Sequence, residues 1–290
     1  MIEYSSMKIL DGKLLSQKIF DEISTKVEKS TMRGERAPRL DLILVGDDFG
    51  SIKYVKMKEK TARELGITCQ THHLQEDIST KEVVNLVKAL NEFQHTDAFM
   101  VQLPLPNHID SNLVLESIDP KKDVDGLTSV NLGRLFLNDP RAIPPATPLG
   151  ILRLLEEYNI EVSGKRVVIL GSSNIVGIPL SALLLRRDAT VTICNSKTPN
   201  IKEISKQAEI LVSATGIPLF VDSSFLTHEV VLIDVGSNRH PKTGKVVGDV
   251  DIEEVSGIPS YITPVPGGVG PMTVACLMEN VVSIASKRLS

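Results

Sequence analysis

Apolar and polar positions along this chain repeat in two alternating periods. Short β-rich runs at 39–46 (RLDLILVG), 67–74 (ITCQTHHL) and 97–106 (DAFMVQLPLP) predict strands. Helical periods at 51–66 and 80–93 fall between them, so the first part reads βαβαβ, a parallel sheet covered by helices. An irregular segment rich in Pro, Gly and Asp follows at 119–150, with a domain crossing expected near Pro144 to Pro148. A second series then places strands at 165–171, 189–195, 208–216 and 230–236, spaced by helices. An amphipathic helix at 271–289 closes the chain, starting at Pro271, a residue suited to a first helical turn.

The helix at 51–66 (SIKYVKMKEKTARELG) contains an anomaly. At about 100° per residue, Lys53, Lys56, Lys60 and Arg63 share one solvated side. Lys58 instead falls on the apolar stripe of Val55, Ala62 and Leu65, with Tyr54 one turn before it and Ser51 close by. A lysine there either snorkels to water along its stem or lines a pocket with a depressed pKa and moves protons.

Composition narrows the class. The chain has 290 residues, 42% hydrophobic and 23% charged, enough for about two soluble domains. A net charge of −4 excludes the basic surplus of a nucleic-acid binder. Consecutive apolar runs such as 230–233 are too short to cross a bilayer, so no membrane association is expected. The start carries no secretory pattern, and Met7 offers an alternative initiation point that would make the first six residues dispensable. Cys69, Cys194 and Cys276 form no framework and the six histidines no ligand spacing; His72 and His73 would face opposite ways on a strand. A reducing, cytoplasmic setting without a structural metal is the expectation.

Four stretches can carry chemistry. Residues 165–185 read strand, glycine turn, helix, with Gly171 and Gly177 permitting a tight turn at which free N–H groups would meet a pyrophosphate. The spacing is neither GxGxxG nor a Walker A loop, and most such turns only reverse the chain; the place at the first strand of a doubly wound series favours a dinucleotide. After the second strand of that series stand Asn195, Ser196, Lys197 and Thr198, where an NAD site usually has an acid. They suit a phosphorylated ribose or a plain polar loop. Residues 264–273 (PVPGGVGPMT) form a stiff, thin-walled loop fit to line a ligand. Asp123 and Asp125 in KKDVDGL admit a metal pair or an Asx-type turn, and the absence of further ligands at metal spacing favours the turn. Gln102 ends a strand at the carboxyl edge where α/β proteins bind ligands.

Together these segments resemble the bifunctional methylenetetrahydrofolate dehydrogenase/methenyltetrahydrofolate cyclohydrolase family. LDGK (10–13), VGDD (45–48), YVKMK (54–58), VQLPLP (101–106), KDVDGL (122–127), GSSNIVGIP (171–179), GDVD (248–251) and TPVPGGVGPMT (263–273) fall in the family's order, covering residues 7 to 288. The resemblance implies two α/β domains with a cleft between them. A folate-binding catalytic domain would span 1–146, with the helix 271–290 packing back on it, and a Rossmann-like domain 147–270. It implies oxidation of 5,10-methylenetetrahydrofolate to 5,10-methenyltetrahydrofolate with NADP, then hydrolysis to 10-formyltetrahydrofolate, a one-carbon supply for purine biosynthesis.

By the same resemblance Lys58, Gln102, Tyr54 and Asp125 are catalytic: Lys58 serves water addition, Gln102 bonds to it, Tyr54 stacks on the folate and Asp125 holds the pterin. Ser51, Val101, Leu103, Pro266, Gly267, Gly268, Val269 and Gly270 complete the substrate site. Gly171, Ser172, Ser173, Val176, Gly177, Ser196, Thr215, Gly216 and Ser237 would contact the dinucleotide, and no metal is implied. Homodimers pairing through the dinucleotide-binding domains are implied too. Three departures stand out: Ser172 replaces an arginine that commonly meets the extra phosphate of NADP, Asn195 a histidine, and Ala146 a cysteine. The first leaves NAD open as the cofactor. A dehydrogenase without hydrolase activity, a non-catalytic folate or nucleotide binder, and a hydroxy-acid dehydrogenase are the alternatives.

Overall fold

The computed structural model describes residues 7–287; the six residues before Met7, with the alternative start, lie outside them. In chain order the elements are β1 (Lys8–Ile9), α1 (Gly12–Met32), β2 (Arg39–Val45), α2 (Phe49–Glu64), β3 (Thr68–Leu74), α3 (Thr80–Glu92), β4 (Ala98–Val101), α4 (Ser111–Glu116), α5 (Ser129–Phe136) and α6 (Ala146–Glu157). They continue with β5 (Arg166–Leu170), α7 (Gly177–Leu185), β6 (Thr190–Cys194), α8 (Ile201–Ser205), β7 (Ile210–Ser213), β8 (Val231–Asp234), β9 (Asn238–Arg239), β10 (Val246–Val247), β11 (Tyr261–Ile262) and α9 (Val269–Ser286). Two compact units result: Lys18–Pro144 with the stretch from Leu277 on, and Pro145–Cys276 with the stretch up to Gln17.

The first unit is built on a parallel sheet in the order β3-β2-β4. Central β2 is buried almost throughout, which is why it reads as a continuous apolar run rather than an alternation. Asp48 caps α2 by accepting from the Ser51 N–H at 2.8 Å, starting the helix two residues earlier than its periodicity predicts. α3 opens with a reciprocal capping box between Ser79 and Glu82 and turns Val83, Val87 and Leu90 onto Phe99, Val101 and Ile43. A buried polar knot also belongs here: the fully buried Asp41 accepts from Arg39, from Thr96 Oγ1 at 2.7 Å and meets His72 Nε2 at 2.8 Å. These donors hold the Asp41 carboxyl at about 2, below its usual range, against burial, which acts the other way. His73, on the opposite side of β3, meets the Gly46 carbonyl instead.

The second unit carries a six-stranded parallel sheet ordered β1-β11-β8-β7-β5-β6. From β5 the chain steps outward to β6 and then crosses back to β7, so the switch in winding direction lies between β5 and β7. Val168, Leu170, Leu211 and Leu232 form its core with Phe225, Val250 and Ile262. The pair β1 and β11 extends this sheet; two-residue strands lie below what periodicity can detect. Helix α9 corrects one expectation, since by length and composition it is apolar enough to cross a membrane. Small and weakly polar residues such as Gly270, Thr273 and Ser283 break its apolar runs but lower the average hydropathy far less than charges would, and most of the helix is buried inside the protein.

Candidate functional site

In the first unit, Lys58 is 7% exposed and faces the carboxyl end of β4, while Lys53, Lys56 and Lys60 on the same helix are exposed. Its Nζ donates to Gln102 Oε1 at 3.0 Å and to Met100 Sδ at 3.3 Å. Gln102 cannot swing away. Its N–H continues the sheet ladder onto the Ile43 carbonyl at 2.8 Å, and its Nε2 donates to the Leu103 carbonyl at 2.6 Å, which turns Oε1 to the lysine. Two acceptors match the two N–H bonds of a neutral amine and leave its lone pair for a third partner. Burial drives the Lys58 pKa below the ordinary 10.5, and the Asp125 charge opposes that shift.

The segment at 121–127 divides its labour residue by residue. Lys122 Nζ donates to the last carbonyls of α3, on Leu90 and Phe93, both at 2.9 Å, and its own carbonyl accepts from the Phe99 N–H of β4 at 3.0 Å. Asp123 is buried and serves as the turn: it accepts from the Thr128 N–H at 2.9 Å, Thr128 Oγ1 at 2.8 Å and Asn131 Nδ2 at 3.0 Å. Asp125, half-buried, takes no part in that turn and sits within the field of Lys58. Burial lifts its carboxyl to about 6; the Lys58 charge pulls it down and the Asp123 charge adds to the rise. The paired acids therefore differ, one holding the loop and the other coupled to the lysine by charge. Ser51 is buried on α2, Tyr54 is exposed beside Lys58, and Val101 and Leu103 flank Gln102.

In the second unit, the glycine turn after β5 meets the end of β7 at the winding switch. A Cβ on Gly171 (φ +118°) would come within 2.2 Å of the Ala214 carbonyl oxygen, and one on Gly177 within 1.9 Å of the Gly171 carbonyl oxygen. Glycine is needed at both. Ser173 Oγ accepts from the Val176 N–H at 3.2 Å, while no side chain caps α7, whose positive end opens onto the turn. Ser172 is exposed. After β6, Asn195 and Thr198 close a tight turn in which Thr198 Oγ1 accepts from the Asn195 N–H at 2.9 Å, with Ser196 and Lys197 at its tip. Such a bare helix start beside a close-approach glycine fits a dinucleotide pyrophosphate. Thr215 and Gly216 follow β7, and Ser237 follows β8, at the same carboxyl edge.

The loop at 264–270 also lies in this unit. Its Gly267 carbonyl accepts from the Lys13 N–H at 2.9 Å, and a Cβ on Gly12 would meet the Gly268 carbonyl oxygen at 1.9 Å, so Gly12 and this loop are matched by close backbone approach. Pro266, Gly267, Gly268, Val269 and Gly270 thus stand together, in the unit that does not contain Lys58. Motif spacing missed two residues, Asp234 and Asp249. Both are buried carboxylates, and the GDVD stretch had supplied family order but no role.

Fold and site define a two-domain α/β oxidoreductase with a Rossmann-like dinucleotide-binding unit. The chain belongs to the tetrahydrofolate dehydrogenase/cyclohydrolase family: the catalytic-domain profile of that family matches residues 10–125 and its NAD(P)-binding-domain profile residues 145–289. It is 49% identical over 282 residues to the bifunctional protein FolD of Ligilactobacillus salivarius, covering 97% of this chain and 98% of that one. Among solved structures, the bifunctional FolD of Campylobacter jejuni superposes with a TM-score of 0.94 at 45% identity, covering 97% and 99% of the two chains. The Trypanosoma brucei dehydrogenase-cyclohydrolase, solved with NADP and an inhibitor, gives 0.93 at 35% identity, with 98% of each chain covered. The chain is accordingly a bifunctional methylenetetrahydrofolate dehydrogenase and cyclohydrolase.

Proposed function

We propose that Lys58 is the proton-transfer group of the hydrolytic step, positioned by Gln102 and tuned by Asp125. The observation that carries this is the buried Nζ with 3.0 Å contact to Gln102 Oε1, an amine whose pKa burial lowers and which is kept at hydrogen-bond distance from a fixed amide. The methenyl substrate is a cation whose bridging carbon is open to water. As a water oxygen bonds to that carbon, its proton passes to the neutral Lys58 amine, leaving a carbinolamine. Breaking the bond from carbon to the ring nitrogen then yields the formyl group, the second water proton ends on that nitrogen, and Lys58 returns its proton to solvent. Asp125 holds the pterin through its polar edge and Tyr54 covers its face, with Ser51, Val101 and Leu103 beside them in the same unit.

The dinucleotide supplies the hydride acceptor when bound. Gly171, Ser173, Val176 and Gly177 are the residues that would receive its pyrophosphate, with Thr215, Gly216 and Ser237 along the carboxyl edge. NADP is the cofactor of this reading, supported by the NAD(P)-binding profile and by the NADP complex of the trypanosomal relative. Exposed Ser172 in place of an arginine favours a second reading, in which NAD also serves; Ser196 and Lys197 are then the remaining groups for an extra phosphate. A catalytic domain up to 146, a cofactor domain at 147–270, a homodimer, a cytoplasmic setting and a place in purine biosynthesis complete the proposal. The test is direct: purified protein receives methylenetetrahydrofolate with NADP and then NAD, followed by methenyl absorbance. In parallel, Lys58→Met should stop opening supplied methenyltetrahydrofolate. A mutant that still hydrolyses it at the wild-type rate refutes the role of Lys58.

A further inference from the structure

The second unit buries two carboxylates where a hydrophobic pair would be cheaper. Asp249, fully buried, accepts at Oδ2 from the Thr215 N–H (2.6 Å), Thr215 Oγ1 (2.9 Å), the Gly216 N–H (3.2 Å) and Ser213 Oγ (3.2 Å). Its Oδ1 accepts from Asn238 Nδ2 at 2.7 Å. One side chain therefore ties the loop after β7 to the loop after β8. Asp234 in turn fixes the backbone of Asp249: its Oδ1 accepts from the Asp249 N–H at 2.9 Å and its Oδ2 from the Val250 N–H at 3.0 Å. Room for this comes from glycine. A Cβ on Gly248 would lie 1.7 Å from Asp234 Oδ2, and one on Gly236 2.3 Å from both the Asp249 N and its Oδ1.

The donors that Asp249 collects show what it does. In a trans peptide the N–H and C=O point opposite ways. Holding the Thr215 N–H inward thus turns the Ala214 carbonyl outward, toward Gly171, where a Cβ would meet it at 2.2 Å. The wall of the glycine turn at the winding switch is held from two sides, by the Ala214 N–H on the Leu170 carbonyl at 2.8 Å and by this buried acceptor on the Thr215 N–H. The expense is visible in Asp234, whose carboxyl burial lifts to about 7 even though three backbone N–H groups pull it down.

We propose that Asp249 is a positioning residue for the dinucleotide, shaping the loop at Thr215 and Gly216 through its carboxylate while touching neither substrate nor cofactor. This rests on the assignment of the loops after β5, β7 and β8 to the dinucleotide. Asp249→Asn keeps the volume but removes the charge and one acceptor oxygen that the obligate donors, the Thr215 and Gly216 N–H groups, share with two hydroxyls and the Asn238 amide. The dinucleotide Kd, read by NADPH fluorescence titration, should rise at least about tenfold, the scale of an unsatisfied buried donor. The dehydrogenase KM for the dinucleotide should rise with it, while kcat at saturating dinucleotide stays within about threefold. Hydrolysis of supplied methenyltetrahydrofolate, which consumes no dinucleotide, should stay unchanged in the same preparation.

Should Asp249→Asn not fold, Asn238→Ala removes only the Oδ1 donor and should raise the Kd by about threefold to tenfold with hydrolysis intact. An unchanged Kd, or a parallel loss of hydrolysis and binding, overturns the positioning role. Ser172→Asp separates the two layers, since it places a carboxylate in the exposed turn beside Gly171. If Ser172→Asp leaves the Kd unchanged, the dinucleotide assignment itself fails, and the proposal with it. If Ser172→Asp weakens binding and Asp249→Asn does not, the assignment stands and the positioning role falls.

Discussion

Replacing Gln102 by glutamate or leucine separates the two things it is proposed to do for Lys58. The Nζ lies 3.0 Å from Oε1, and its other hydrogen-bond partner among the described residues is the Met100 sulfur, a weak acceptor at 3.3 Å. Gln102→Leu deletes the better bond and frees the amine to rotate, costing about 1–1.5 kcal/mol, or roughly tenfold in the hydrolytic kcat. Gln102→Glu keeps an acceptor of the same reach but adds a charge. At 3.0 Å and an effective dielectric of about 20, that charge favours the ammonium by about 5 kcal/mol. If desolvation of the new carboxylate cancels half, the ratio of neutral amine to ammonium still falls about a hundredfold.

The assay is the decay of methenyltetrahydrofolate absorbance at saturating substrate across pH. Wild-type kcat should climb as pH rises through the depressed Lys58 pKa. The climb should move to higher pH in Gln102→Glu but not in Gln102→Leu. Equal hydrolysis by Gln102→Glu and wild type, or a profile that stays in place, would refute the neutral-amine mechanism even if both variants fold.

Asp125→Asn should act in the opposite sense: removing the charge that favours ammonium at Lys58 moves the hydrolytic limb to lower pH, read from kcat because folate KM will also rise. Asp41→Asn probes the buried knot of the first unit. The native carboxyl titrates near 2 against 3.8 unfolded, so its contribution is present above 3.8 and is lost as pH falls through 2. With solvent screening discounted it is worth about 1–2 kcal/mol, so the urea midpoints of wild type and variant should converge between about pH 4 and 2.5. A constant gap would assign the loss to packing instead. Ser172→Arg should tighten NADP relative to NAD by about tenfold in Kd, as a charge-assisted phosphate contact does; equal effects on both cofactors would place residue 172 away from the extra phosphate.

The alternation of runs was enough to read the two α/β series, because the central strands β2, β4, β5, β7 and β8 are buried on both faces and helices such as α2 and α3 on one. It also exposed Lys58, since 100° periodicity is local and an ammonium on an apolar stripe contradicts its own helix. Helix α2 begins earlier than the pattern because a cap is set by one side chain, Asp48, and not by periodicity. Short partners such as β1 and β11 stayed invisible: two residues carry no period, and the identity of β1 as a strand depends on a neighbour more than 250 positions away.

Local sequence therefore determined element type, the order of the elements and the one lysine that faces the wrong way for a solvated helix. Tertiary structure decided what those residues meet. Only chain return brings Gln102 to Lys58, sets Asp125 within the field of the lysine, and turns GDVD from a string into a carboxylate brace. The physical reason is that periodicity reports which face is buried, whereas hydrogen-bond partners and pKa shifts depend on groups dozens of residues apart in sequence. Glycines 236 and 248 show this most plainly, because the space each leaves is filled by a carboxylate from another strand or turn.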